Sequence, residues 1–431
     1  MQAMRVMFVC PIYNVARTTG AGQRSQLLLR ALAALGDVDV VLISEEACAD
    51  LEGEITAIHA EIPCAKSVHI LRSTRLFVAP PSQPGYLAKA VYVARRVQSA
   101  FVQRRMLYRP TADARRRMTD LVAVREPHVI VGRYLQPTAI SGALDQSPVP
   151  VIVDLDDMEE GAIRSRLHAV TTARLERLLL RSRLRQMERF LPGLRRSCRH
   201  VFTASEPDLG VVDHPSVSLL PNIPFEPPDP HQPLEDPDLG AVLFMGTFQH
   251  RANRDGLHHF LATAWPQVRL KRPDSRLRIV GSGGWESMRH VLESVDGVTV
   301  VGKVADVASE YRAASIAVAP LFEGGGTKIK VLEALAYGRA VVATPHSARG
   351  LEALVGNGMV VAQDDANFVQ ACIDLLADAG RRREVAERGR MLVAQRFSQI
   401  ALDGIVARAV ASVVPAVLDP SDNSPPATEP N

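Results

Sequence analysis

The chain has 431 residues, of which 47% are hydrophobic and 23% charged, with a formal net charge of +3. A single core rarely grows that large, so two domains of roughly 150–200 residues each are expected, and so small a charge makes no case for nucleic acid as a partner. Five scattered cysteines (Cys10, Cys48, Cys64, Cys198, Cys372) contain no CxxC pair, which argues against a disulfide framework or a zinc site and for a reducing compartment.

Short β-branched runs alternate with helical patterns, the signature of parallel βαβ units, so the expected fold class is α/β with two doubly wound domains. Residues 5–13 are too short an apolar run for a signal peptide, and no stretch of about 18 apolar residues offers a membrane span. Residues 6–10 read as a buried strand. A polar loop over 18–24 follows, bearing Gly20, Gly22 and Arg24, then a helix over 25–35 and a strand over 38–43. Further strands are predicted at 129–132, 149–154 and 200–203, with one long helix over 163–191. Two stretches are dense in arginine. One runs from Arg95 to the triplet Arg115–Arg117; the other runs from Arg164 to Arg199, where only Glu176 and Glu188 oppose the charge. Such runs read as solvated helix faces or as surfaces attracted to an anionic membrane or a phosphorylated acceptor.

Between 219 and 240 the rhythm stops. Seven prolines from Pro221 to Pro237 are incompatible with a helix or a central strand, so a semi-rigid linker over 223–239 separates a domain at 1–222 from one at 240–396. In the second half, strands at 242–245, 277–280, 298–301, 316–319 and 340–343 alternate with helices over 254–269, 287–294, 304–313 and 328–337. Helices over 365–378 and 380–396 close the domain. A last helix within 397–413 is a candidate to cross back to the first domain, and 414–431 read as a disordered tail.

The most informative stretch runs from Ala319 to Gly338. Gly324, Gly325 and Gly326 follow a strand and let the backbone approach a ligand. Thr327 is placed to cap the next helix, whose open N–H groups and dipole favour an anion. Lys330 and Glu333 share one helix face, with Lys328 beside them. That arrangement suits a nucleoside diphosphate, the ammonium taking phosphate oxygens and the carboxylate accepting from ribose hydroxyls. The same residues also describe a flexible loop with an exposed ion pair worth a few tenths of a kcal/mol. Residues 338–350 add a turn, a buried strand and a second small-residue loop at the same sheet edge.

With these segments the chain resembles the retaining GT4 family of GT-B glycosyltransferases, whose donor motif reads like Gly-Gly-Thr-Lys-Ile-Lys-Val-Leu-Glu-Ala at 325–334. Supporting segments are Leu243-Phe-Met-Gly-Thr with Asn253 and Asp255, Pro273-Asp274 before Leu277-Arg-Ile-Val-Gly281, Val301-Gly302, Ser205-Glu206 and Pro221-Asn222. The likeness is strong over 241–355 and diffuse over 45–125. It implies two Rossmann-like domains facing an interdomain cleft, with Lys330 on the donor diphosphate, Glu333 on the ribose and Gly302 against the base. Gly246 joins the donor site, and the Gly20–Gly22 loop would approach the donor phosphates or the acceptor. Three departures stand out. The family pairs glutamates eight apart, but eight before Glu333 is Gly325, with Glu323 ten before. Thr247 and Ala252 replace a basic clamp, with Arg251 or Arg254 as candidate substitutes. Asp156 stands where relatives place a histidine, and Arg133 ends the preceding strand. Asp156, Glu323 and Arg133 are therefore the candidate catalytic residues.

The resemblance implies a glycosyltransferase that moves a sugar with retention from a nucleotide-sugar donor to a glycan, lipid-linked or small-molecule acceptor, in cell-envelope or exopolysaccharide synthesis. Protein cations would carry the leaving-group charge, so neither a metal nor a cofactor is required; Asp154-Leu-Asp156 is spelled like a metal motif but reads as a polar pocket wall. The expected location is cytoplasmic, at the inner face of a membrane, with no nucleic acid partner. The alternatives are a GT-B epimerase or hydrolase acting on a sugar nucleotide, or an inactive GT-B binding protein.

Overall fold

The computed structural model describes residues 4–16, 19–44, 51–72, 107–146, 148–156, 158–168, 174–234, 237, 240–324 and 328–414. The described residues of Met1–Leu167, Thr171–Leu220 and Leu402–Asn431 form one unit, and those of His168–Val170 and Pro221–Ala401 form another.

The first unit is built on seven parallel strands: β1 (Met4–Pro11), β2 (Gly36–Ser44), β3 (Ser67–Arg72), β4 (Val129–Arg133), β5 (Val151–Asp154), β6 (His200–Thr203) and β7 (Val217–Leu219), in the order β3-β2-β1-β4-β5-β6-β7. Val6, Phe8, Val40, Ile130, Val131, Ile152 and Val201 are all buried; helices on both faces require both faces of such strands to be apolar. The order reverses direction between β1 and β4. That is the switch point where doubly wound sheets hold ligands beyond the strands' carboxyl ends.

One expectation is corrected here. Residues 20–24 are not loop, because the helix Gly20–Ala33 begins there, with the Thr19 hydroxyl accepting from Gly22 N–H at 3.0 Å. A Cβ on Gly22 would lie 1.8 Å from the Ala16 carbonyl oxygen, so the glycine permits close packing rather than flexibility. Of the helix expected over 163–191, the described parts belong to Glu159–His168 and Arg174–Arg196, and 169–173 lie outside the described residues. The sequence pattern also gave no sign of the helix Ala112–Arg125, of β3 or of β7.

The second unit has six parallel strands: β8 (Ala241–Met245), β9 (Arg276–Val280), β10 (Val298–Gly302), β11 (Ile316–Ala319), β12 (Ala340–Ala343) and β13 (Met359–Val361), in the order β10-β9-β8-β11-β12-β13. Its switch point lies between β8 and β11. Phe244, Phe260, Trp265 and Trp285 fill the core, and the two indoles donate to the carbonyls of Asp296 and Gly246 at 2.9 and 2.7 Å. The helix expected over 254–269 is broken into Arg251–Thr263 and Trp265–Lys271, with Pro266 in the first turn of the second.

Among the described residues from 221 to 239 there is no regular element. The stretch is nonetheless anchored. The Leu234 side chain fills the space over Gly338, whose φ is +65°, and the Arg390 guanidinium donates to the carbonyls of Pro230 and Gln232. The final helix is Gln399–Val413, and its residues from Leu402 onward group with the first unit. No described helix is long and apolar enough to cross a membrane. Residues 415–431 lie outside the described residues.

Candidate functional site

In the second unit, glycines close three neighbouring strands at their carboxyl ends. Gly246 follows β8, Gly281 (φ +149°) follows β9, and Gly302 (φ +80°) ends β10. Gly246 N–H donates to Val280, and Gly281 N–H to Gly302, at 2.9 and 2.8 Å. A Cβ on Gly281 would stand 1.9 Å from the Gly246 carbonyl oxygen, so this floor tolerates no side chain. Over Gly302 the vacant space is taken by the Glu286 carboxylate, which accepts from Lys303 N–H at 3.2 Å. Backbone hydrogen bonds at Glu286 and Lys303 lower its pKa.

The helix Ile329–Ala336 begins beyond the end of β11 with no side-chain cap, Lys328 occupying the N-cap position. Gly325, Gly326 and Thr327, expected as the phosphate loop and cap, lie outside the described residues. Gly324 (φ +112°) directs its carbonyl at Lys328 Nζ, 3.4 Å away, and at His346 Nε2, 3.0 Å away. Burial, then the neighbouring Lys328 charge, depresses the His346 pKa to about 4, so the ring is neutral and donates through Nε2.

Lys330 Nζ stands 2.9 Å from Glu333 Oε2. This is not the exposed pair of the plainer reading, since Glu333 is buried and the same oxygen accepts from the buried Tyr311 hydroxyl at 2.9 Å. Tyr337 stacks on Tyr311 at a centroid distance of 5.1 Å. Burial, reinforced by the Glu333 carboxylate, raises the Tyr311 pKa well above its ordinary value and keeps the hydroxyl a donor. Oε1 of Glu333 accepts no hydrogen bond from a described residue. One carboxylate oxygen is thus fixed, and the other keeps its acceptor capacity. On the other side of the switch point, Arg251 lies 3.0 Å from Asp255 and 3.7 Å from Glu323. Arg251 and Glu323, both singled out by sequence, do meet.

The first unit carries a different constellation. Arg24, on the helix after β1, donates to Asp154 Oδ2 and Oδ1 at 2.9 and 2.8 Å and to the Leu220 carbonyl at 2.8 Å. Arg133 donates to Asp154 at 3.1 Å and to Asp156 at 2.7 Å. Its guanidinium carbon sits 4.0 Å from the Tyr134 ring centroid, and the Tyr134 hydroxyl lies 3.4 Å from Asp156 Oδ2. Burial opposes the Arg24 and Arg133 charges, but the two aspartates outweigh it and raise both pKa values. Two guanidiniums and two carboxylates therefore balance in a dry setting, where an unpaired charge would be prohibitive.

Arg24 and Arg133, the second a candidate catalytic residue, are both buried, their side chains 3% and 0% exposed. Asp156, at 15%, is the partly open member of the cluster. Asp156 (φ +55°) and Tyr134 (φ +66°) both hold left-handed backbone just beyond neighbouring strand ends, a strained arrangement that costs roughly 1–3 kcal/mol each and gathers at functional sites. Gly20 opens the first helical turn with free space where a side chain would be. Sequence reasoning missed Tyr311, Tyr134 and His346. Only His346, in the short helical turn Pro345–Ala348 after β12, carried any local signal. A hollow of about 690 Å³ lined by Asn357, Glu384, Arg388 and Met391 contains none of these residues.

Residues 240–378, which hold the whole glycine floor and the Lys330–Glu333 pair, match the family described as glycosyl transferases group 1. Over 143 residues, 32% of this chain and 36% of the relative, it is 34% identical to a phosphatidyl-myo-inositol mannosyltransferase of Mycolicibacterium smegmatis. The curated relatives it matches are covered over 35–39% of their length. Similarity over nearly the full chain comes from solved structures. Sucrose-phosphate synthase of Thermosynechococcus elongatus aligns with a TM-score of 0.63 at 18% identity, covering 96% of this chain and 100% of that one. Anabaena HepE in complex with UDP and glucose aligns at 0.57 and 14% identity, covering 95% and 100%. At such identities the likeness fixes the fold. That fold is GT-B, with two Rossmann-like units, and the matched residues 240–378 fall in the second of them.

Proposed function

We propose that the protein transfers a sugar from a nucleotide-sugar donor to a lipid-linked or glycan acceptor, with retention of configuration. The observation that carries this reading is the buried Glu333 carboxylate, pinned through one oxygen by Tyr311 and Lys330 beside the glycine floor of β8–β10. That group is preorganised to accept from ribose hydroxyls, while Lys330 and Lys328 stand near the start of a helix whose dipole favours phosphate. As the glycosidic bond breaks, the sugar takes on oxocarbenium character and negative charge grows on the departing diphosphate. Fixed cations then stabilise the leaving group, each well-placed donor being worth about 3 kcal/mol. Lys328, Lys330 and Arg251 supply such charge without a metal. Asp154 and Asp156 are committed to Arg24 and Arg133, which fits a pocket wall rather than a cation ligand set.

The division of labour follows from the two units. Residues 240–396 bind the donor, and 1–222 bind the acceptor, with Asp156 as the group of the Arg24–Arg133 cluster that meets the reacting sugars and Glu323 serving for the glutamate absent at Gly325. The UDP and glucose in the HepE complex and the mannosyltransferase named for phosphatidyl-myo-inositol support a nucleotide-sugar donor and a lipid-linked acceptor of the cell envelope, used at the inner face of a membrane. Turnover of UDP- and GDP-sugars by the wild type and by Lys330→Ala tests the donor site. Loss of about 100-fold in kcat/KM is expected; undiminished turnover in the variant would remove Lys330 from it.

A further inference from the structure

The helix Arg174–Arg196 contributes no residue to either constellation, yet its two faces differ sharply. Leu180, Met187 and Leu191 are buried on one side, whereas Leu178 and Leu179 are 63% and 48% exposed. Arg181, Arg185 and Arg189 are exposed as well. At 100° per residue, Leu178, Arg185 and Arg189 fall within about 20° of one line, flanked by Arg181, over about 16 Å of helix axis.

The charges on this face are not balanced. Glu188 is taken by Arg164 at 2.5 Å, Arg195 is buried against Glu160 at 2.5 Å, and Arg196 pairs with Asp213 at 2.5 Å. Arg181, Arg185 and Arg189 form no ion pair with a described residue. Three unpaired guanidiniums in a row beside two exposed leucines match a boundary that is anionic at its surface and apolar beneath.

We propose that this face docks on an anionic membrane surface, the arginines meeting lipid phosphates and Leu178 with Leu179 entering the acyl boundary. A nucleic acid would satisfy the arginines but leave the leucines in water. Nor does the face offer an aromatic platform for bases, since Phe190 packs edge-on against Tyr108 with centroids 5.1 Å apart. The inference deepens the functional reading above and rests on it for its purpose, since it supplies the surface by which the enzyme would reach an acceptor held in lipid.

The test is sedimentation of the full chain with phosphatidylcholine vesicles, alone or containing phosphatidylglycerol, with no nucleotide sugar present. Binding to the anionic vesicles only, weakened by added salt, is expected. The triple variant Arg181→Gln, Arg185→Gln, Arg189→Gln should lower partition on the order of 100-fold. The corresponding lysine variant should restore it, and Leu178→Ser with Leu179→Ser should weaken it roughly tenfold. All of these positions are exposed, so an unchanged unfolding midpoint in each variant certifies the fold. Equal partition of the glutamine variant and the wild type, or equal binding to neutral vesicles, overturns the proposal. Absence of any nucleotide-sugar turnover would sink the functional reading while leaving the vesicle measurement to decide this surface.

Discussion

Arg133 Nη2 lies 2.7 Å from Asp156 Oδ2, which fastens the last residue of β4 to a residue two beyond the end of β5. Asp156 N–H also donates to Asp154 Oδ1 at 3.1 Å, and its carbonyl accepts from Ala204 N–H at 3.1 Å. A carboxylate on strained backbone is thereby held from three sides. The strain persists because the surrounding hydrogen bonds over-determine it.

Strain and charge at Asp156 can be separated. Asp156→Ala loses the ion pair and keeps the unfavourable φ, whereas Asp156→Gly loses the pair but relieves the backbone. The glycine variant should therefore be the more stable of the two by about 1 kcal/mol, read from thermal unfolding, and both should lose turnover. Equal midpoints would show that the left-handed conformation is not retained.

Arg24 is the buttress of the same cluster. Arg24→Met leaves Asp154 buried with only Arg133 to balance it, and stability should fall by about 3 kcal/mol in urea titration. A loss within 0.5 kcal/mol, on the order of an ordinary surface substitution, would mean that water replaces the guanidinium.

Tyr311 makes no expected contact with the donor and acts by positioning Glu333. Tyr311→Phe keeps the stack on Tyr337 and removes only the hydroxyl. The donor KM should rise roughly tenfold, the equivalent of one buried hydrogen bond to a charged group, with a smaller change in kcat. An unchanged KM would detach Tyr311 from the donor site.

Acid should destabilise the protein through two histidines. Burial, then the neighbouring His214, depresses the His200 pKa to about 4, and burial with Lys328 does the same for His346. The unfolded chain binds these protons near pH 6.5, the folded one only near 4, so stability is complete above about 6.5 and declines as pH falls toward 4. Urea midpoints measured across that window should fall, with a shallower slope for His200→Asn. A flat profile would show that neither ring is held neutral.

Of the strands that sequence located residue for residue, 316–319 and 340–343 are continuous apolar runs that local pattern is enough to mark, while 200–203 sets two apolar residues between His200 and Thr203. Residues 20–24 were misread because two glycines in three positions suggest a loop, and Thr19 capping with the close packing of Gly22 outweighs that propensity.

Sequence alone sufficed for two parallel α/β units and for Lys330 and Glu333 sharing a helix face, since each rests on residues within one turn or one strand. Which distant groups meet was decided only by tertiary structure. Arg24 and Asp154 are 130 residues apart, and Tyr311 and Glu333 are 22 apart on different helices. Their pairing depends on the order of strands in the sheet. Only that order turns Arg24 and Arg133 from surface cations into the buried support of Asp156, because a guanidinium leaves water only where a carboxylate is already fixed to receive it.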